Sequence, residues 1–155
     1  MAPAWPRSFL GYSFWVAPGK VVKRRVAPKA LVTMKERVRE ITSRNGGRSL
    51  ATGATERRRY LVGWKAYFRL ADTPRVFAAV DQWLHRRLRM LMLKQWRRGR
   101  TIYRELHRRG VGGAALGMAA RFGRHWWHVA AHQALHIALP GAYFESLGVP
   151  RLGPA

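Results

Sequence analysis

The chain has no cysteine and only seven acidic residues among its 155. Without thiols there is no disulfide framework and no thiolate zinc site. So few carboxylates, with no Gly-x-Ser-x-Gly word, leave little material for hydrolytic chemistry, and Gly110 to Gly117 lacks the Lys-Ser/Thr ending of a phosphate loop. The only aspartates are Asp72, at an expected helix start, and Asp81, inside an amphipathic pattern. They do not form the carboxylate cluster that two-metal chemistry needs. A long apolar run is also missing: His125 to Phe144 holds four histidines and Pro140, a poor bilayer span. Ser8 to Val16 leads into Pro18-Gly19 instead of a small-residue cleavage site, so no secretory signal is read there. The expected location is cytoplasmic, and no membrane partner is expected.

What is abundant is positive charge. Lys and Arg number 30, giving a formal net charge of +23, and the default partner of such a surface is a polyanion. At 48% hydrophobic and 12% aromatic residues the chain is too apolar for a disordered basic tail and should fold. Four basic clusters stand out: Lys20 to Arg25, Arg57 to Arg59, Arg86 to Arg100 and Arg104 to Arg109. A charge run is usually a solvated helix face, but here few acids are available to neutralise it, which favours nucleic acid. Candidate phosphate-binding residues are Lys20, Lys23, Arg24, Arg25, Arg57, Arg58, Arg86, Arg87, Arg89, Lys94, Arg97, Arg98, Arg100 and Arg104, with Trp96 as a stacking group. Tyr103, beside Arg104, is a second stacking candidate.

Periodicity orders the chain. Leu10, Tyr12, Phe14 and Val16 alternate, Pro18-Gly19 supplies a type II turn, and Val21 to Val26 resumes a β-branched basic run, together a β-hairpin. Pro28 opens a helix with Leu31, Met34, Val38 and Ile41 on one face, stopped by Asn45-Gly46-Gly47. A second helix runs from about Glu56 to Leu70, since Gly53 costs about 1 kcal/mol relative to Ala inside a helix and delays its start. Asp72-Thr73-Pro74 begins a third, with Val76, Phe77, Val80, Trp83, Leu84, Leu88 and Leu91 as its apolar face. A short helix from Ile102 to Arg108 and a Gly/Ala stretch follow, then a tail of irregular structure.

Five words in this order resemble the C-terminal part of a group II intron reverse transcriptase/maturase: Phe9-Leu10-Gly11-Tyr12; the helix 28 to 44; Tyr60-Leu61-Val62-Gly63-Trp64-Lys65-Ala66-Tyr67-Phe68; the arginine-rich 74 to 98; and Pro140-Gly141-Ala142-Tyr143-Phe144 with Leu147-Gly148-Val149-Pro150. The resemblance implies a mostly α fold. Residues 1–27 would be the end of a palm, a β-hairpin and its connection. Residues 28–100 would be a three-helix maturase/thumb (X) bundle, and 101–155 a partly irregular helical appendage. It implies an RNA-binding maturase module that assists folding and splicing of a mobile intron and positions nucleic acid for reverse transcription. The partner implied is structured intron RNA, or an RNA/DNA duplex, with a separate palm polypeptide as a further candidate. The family is RNA-directed DNA polymerase and uses Mg²⁺, but the Tyr-x-Asp-Asp of the palm is absent here. No cofactor or independent activity is expected of this chain, which is read as a terminal fragment. The alternatives are the thumb of a split polymerase and a non-specific basic RNA-binding fragment.

Competing readings attach to the rings. Trp64, Tyr67, Phe68 and Trp83 lie on apolar stripes and are read as core, whereas Trp96 is balanced between core and stacking. His125, His128, His132 and His136 would align along one face if their segment were helical, the geometry of a metal stripe. No acid or His-Glu-x-x-His word adjoins them, so packing or weak cationic contact to RNA is preferred and no metal site is assigned.

Overall fold

The computed structural model describes residues 8–43, 53–121 and 125–153. The expected stop at Asn45-Gly46-Gly47 and the segment Met1 to Arg7 lie outside the described residues. The fold is mostly α, preceded by a three-stranded antiparallel sheet in the order β1 (Ser8–Phe9), β2 (Tyr12–Ala17), β3 (Val21–Val26).

The first aromatic word turns out to be a turn. Phe9 pairs with Tyr12, and the two residues between them, Leu10 and Gly11, both have positive φ, 50° and 80°. That is the pattern of a type I′ hairpin, whose twist matches the flanking strands. Gly11 is required twice over, because a Cβ there would also sit 3.0 Å from the Phe68 ring. At the far end, Gly19 has φ 88°, as the third position of a type II turn demands, and Lys20 follows at φ 59°. The expected hairpin is therefore correct for β2 and β3; β1, only two residues long, was too short to announce itself by alternation.

Helix α1 spans Pro28–Ser43 and buries Met34, Val38 and Ile41, the expected stripe. Helix α2 spans Ala54–Tyr67, starting two residues earlier than expected, with Gly53 at its N-cap and no side-chain cap. Helix α3, Pro74–Trp96, is the longest element. Phe77, Val80, Leu84 and Leu88 recur every three or four residues on its buried face, and Met92 and Leu93 continue it. Asp72 does not cap this helix. Its carboxylate accepts the Arg24 backbone N–H at 2.8 Å, while its own N–H donates to the Arg24 carbonyl at 2.7 Å, tying β3 to the α2–α3 link.

The region after α3 is more helical than its composition suggests: α4 (Gly99–Arg108), α5 (Ala114–Arg121), α6 (Trp126–Val129), α7 (Gln133–Ala138) and α8 (Gly141–Ser146). Buried side chains from Val26 to Leu152 form one hydrophobic cluster, so these short helices complete the same core as α1–α3. Asp81, buried on α3, anchors the last described residues. Its carboxylate accepts the Leu152 N–H at 3.0 Å and the Gly153 N–H at 2.6 Å. A Cβ at Gly153 would lie 3.1 Å from that carboxylate and 3.4 Å from the Ala78 backbone, which explains glycine at this close approach.

The two aromatic words, more than fifty residues apart, dock on each other. The Tyr12 hydroxyl donates to the Tyr67 carbonyl, and the Tyr67 hydroxyl donates to the Leu10 carbonyl at 2.8 Å. Tyr12 and Phe68 have ring centroids 5.1 Å apart, and Phe68 in turn meets Trp64 at 4.8 Å, spacings that favour tilted aromatic pairs. Trp64 and Phe68 are core, as read from their stripe. Tyr67 is 52% exposed, because its hydroxyl reaches out to the β1–β2 turn.

Candidate nucleic-acid interface

The candidate cations divide into two sets. At the corner where α3 hands over to α4, Lys94, Arg97, Arg98, Arg100 and Arg104 are all exposed, and none forms an ion pair among the described residues. The backbone builds this corner. Arg97 closes α3 with φ 54° while its N–H donates to the Leu93 carbonyl, and Arg98 is extended at the N-cap of α4. Three guanidiniums within four residues are thereby turned out of the helix path. Beyond them one acid intervenes: Glu105 pairs with Arg108 at 3.2 Å and with Arg109 at 2.5 Å. The Arg109 hydrogen bond, more than the neighbouring positive charges, holds the Glu105 carboxyl below its ordinary range.

The second set is engaged internally. Arg57 is 1% exposed and Arg89 5% exposed, and burial lowers the pKa of both guanidiniums. Neither is available to a phosphate on the surface, which removes both from the outward-facing set. Arg89 Nε donates to the Leu139 carbonyl at 3.0 Å, and its Nη1 lies 3.5 Å from His136 Nε2. Arg87 is half-buried and ties α3 to α1, with Nε donating to Thr42 Oγ1 at 2.9 Å and Nη2 to the Arg39 carbonyl at 3.3 Å. Arg86 lies 4.2 Å over the Trp127 ring and donates from Nε to the Trp127 carbonyl at 3.0 Å.

The hairpin arm is mixed. Lys20 is exposed at the turn and Lys23 sits 5.9 Å over Trp15. Arg24 is 3.6 Å from Asp72, and Arg25 donates to Ser13 Oγ at 2.9 Å. The Asp72 carboxyl is held below its usual range first by the Arg24 backbone N–H and then by that residue's charge. Arg58 is exposed on α2.

Trp96 is half-buried against the core with the Arg109 guanidinium 5.3 Å over its ring, while Tyr103 is 48% exposed and stacks on His107. Trp83 is half-buried too, with Lys35 and Arg39 of α1 at 5.4 and 5.5 Å from its ring, basic residues that stand outside the four sequence clusters. The histidine run does not form one stripe. It is divided between α6 and α7, because His132 is extended and its Nδ1 caps α7 by accepting the Ala134 N–H at 3.2 Å. Among the described residues no three His, Asp or Glu side chains come together to hold a metal ion, and none of the helices is long and apolar enough to cross a membrane.

Two clefts border these elements. One, of about 620 Å³ between α1 and α2, is lined by Arg37, Arg59, Tyr60, Trp64 and Tyr67. The other, of about 600 Å³, opens between α3 and the α6–α7 segment.

A small antiparallel sheet leading into an aromatic-locked helical bundle with a bare cationic corner defines a basic helical module. The profile of the group II intron maturase-specific domain matches residues 31–110, α1 through α4, just over half of the chain. The chain belongs to that family. No curated protein matches it.

Proposed function

We propose that this module binds structured intron RNA through the α3–α4 corner and the outer arm of the hairpin, assisting RNA folding and splicing and positioning nucleic acid for reverse transcription. The observation that carries this reading is the exposed set Lys94, Arg97, Arg98, Arg100 and Arg104 inside the matched domain, none of which forms an ion pair among the described residues. Such residues bind phosphate by releasing condensed counterions, and exposed rings and guanidinium planes stack on unpaired bases. Trp96 and Tyr103 flank the corner for that purpose. The chain binds and positions; the Mg²⁺ chemistry of polymerisation would reside in palm carboxylates outside it. The test is a competition titration at near-physiological salt between the adjoining intron RNA and an unrelated structured RNA of equal length. Preference for the intron is expected, and equal binding would reduce the function to non-specific RNA binding.

A second reading, the thumb of a split polymerase, is favoured by the sheet. Phe9, Phe14, Val16 and Val22 share one face by strand register, and they are 67%, 39%, 59% and 62% exposed. So much apolar surface on one small sheet is the kind that another polypeptide covers, and a separate palm chain is its proposed occupant.

A further inference from the structure

The cleft between α3 and the α6–α7 segment is built unlike the open corner. Its lining includes Trp83, His85, Arg86, Arg89, Trp127 and His136, and no carboxylate lines it among the described residues. Two thirds of that lining comes from the middle of α3 and the rest from residues beyond the matched domain, so the C-terminal segment turns a helix face into a walled pocket. A buried guanidinium ordinarily has an anionic partner, because removing an ion from water carries a large penalty that only pairing and hydrogen bonds offset. Arg89 forms no ion pair among the described residues, and its hydrogen-bonding neighbours are the Leu139 carbonyl and the His136 ring. Arg86 also forms no ion pair among the described residues. Trp127 covers one face of its guanidinium and holds its Nε, while both Nη atoms have no hydrogen-bond partner among the described residues.

Each feature matches part of one ligand. A planar guanidinium backed by an indole presents its other face for stacking on a base, and paired guanidiniums donate to phosphate oxygens. The volume, about 600 Å³, lies within the range of sites that take one small molecule. We propose that this pocket seats a single nucleoside phosphate unit, its phosphate on Arg86 and Arg89 and its base stacked against the Arg86–Trp127 pair. The unit is either a free mononucleotide or one unpaired residue of an RNA. The site is separate from the α3–α4 corner, so it can fail or succeed independently of the phosphate-tracking surface proposed above.

The experiment is calorimetric titration of the full chain with adenosine 5′-monophosphate, and with inorganic phosphate in a parallel arm. Saturable binding at one per chain is expected, tighter for the nucleotide than for phosphate. Gln82→Glu places a carboxylate at the pocket mouth from an exposed position and should weaken binding at least about tenfold, while Lys29→Gln, the same loss of one positive unit on α1, should change it less than about twofold. Arg86→Lys, which keeps the charge but loses the stacking plane, should also weaken the nucleotide arm. A short RNA with one unpaired adenosine then identifies the source: displacement of the nucleotide assigns the site to RNA, and no displacement assigns it to free nucleotide. Absence of saturable binding, equal weakening by Gln82→Glu and Lys29→Gln, or phosphate binding as tightly as the nucleotide would overturn the proposal.

Discussion

Two nearly identical words, Arg86-Arg87-Leu88-Arg89 and Arg97-Arg98-Gly99-Arg100, stand eleven residues apart and do opposite things. The first lies mid-helix, where α1 packs on one side of α3 and the α6–α7 segment on the other, and each of its arginines is committed to a carbonyl, a hydroxyl or a ring. The second lies where α3 ends. Leucine becomes glycine, the backbone passes through a left-handed residue, and all three side chains stay in water. Arginine suits both tasks, because its apolar stem tolerates burial and its rigid fork satisfies several acceptors at once. Density of arginine therefore says little about which ones meet RNA; the neighbours that cover them decide.

The sharpest way to break this contrast is to remove the deepest inward arginine. Arg89→Ala deletes a buried stem and leaves the Leu139 carbonyl without its donor, so a loss of about 2–4 kcal/mol in chemical denaturation is expected. A change within error would place Arg89 among the dispensable surface cations. A smaller effect concerns His85, beside Arg89 in the same inward region. Burial chiefly lowers its pKa; Arg89 and Arg151 act in the same direction, and Asp81 and Glu145 oppose them. A folded value below the unfolded one means that the stability contribution is fully present above the ordinary imidazole value of about 6.5 and is lost as pH falls through the lowered folded value. The melting temperature should fall modestly on acidification over that window, and His85→Gln should flatten the dependence; an unchanged slope would show that His85 protonates as easily folded as unfolded.

How much of this was legible follows from what each signal depends on. The stripes Met34, Val38, Ile41 and Phe77, Val80, Leu84, Leu88 repeat within a single helix, so local periodicity found α1 and α3, with the start of α1 and both ends of α3 accurate to a residue or two. The two aromatic words were visible as words, but their mutual docking through Gly11, Tyr12, Tyr67 and Phe68 depends on contacts across more than fifty residues. The histidine spacing pointed to a helix that His132 interrupts by capping the next one, because its neighbours Ala131 and Gln133 carry no strong break signal. Burial of Arg57 and Arg89 was invisible for a related reason: the groups around Arg89 arrive from Leu139 and His136, in a segment whose composition looked irregular. The charge of the α3–α4 corner was legible, and its exposure needed the fold.

The most direct measurement is the salt dependence of RNA binding for the wild type, the outward triple Arg97→Gln/Arg98→Gln/Arg100→Gln, and the inward Arg87→Gln. Each phosphate-neutralising arginine adds about 0.7 to the log–log slope, so the triple should flatten it by roughly 2 while leaving the melting temperature unchanged. Arg87→Gln should leave the slope intact and cost about 1 kcal/mol of stability through loss of its bond to Thr42. A slope flattened by the inward variant but not by the outward triple would contradict the assignment of RNA contact to the α3–α4 corner.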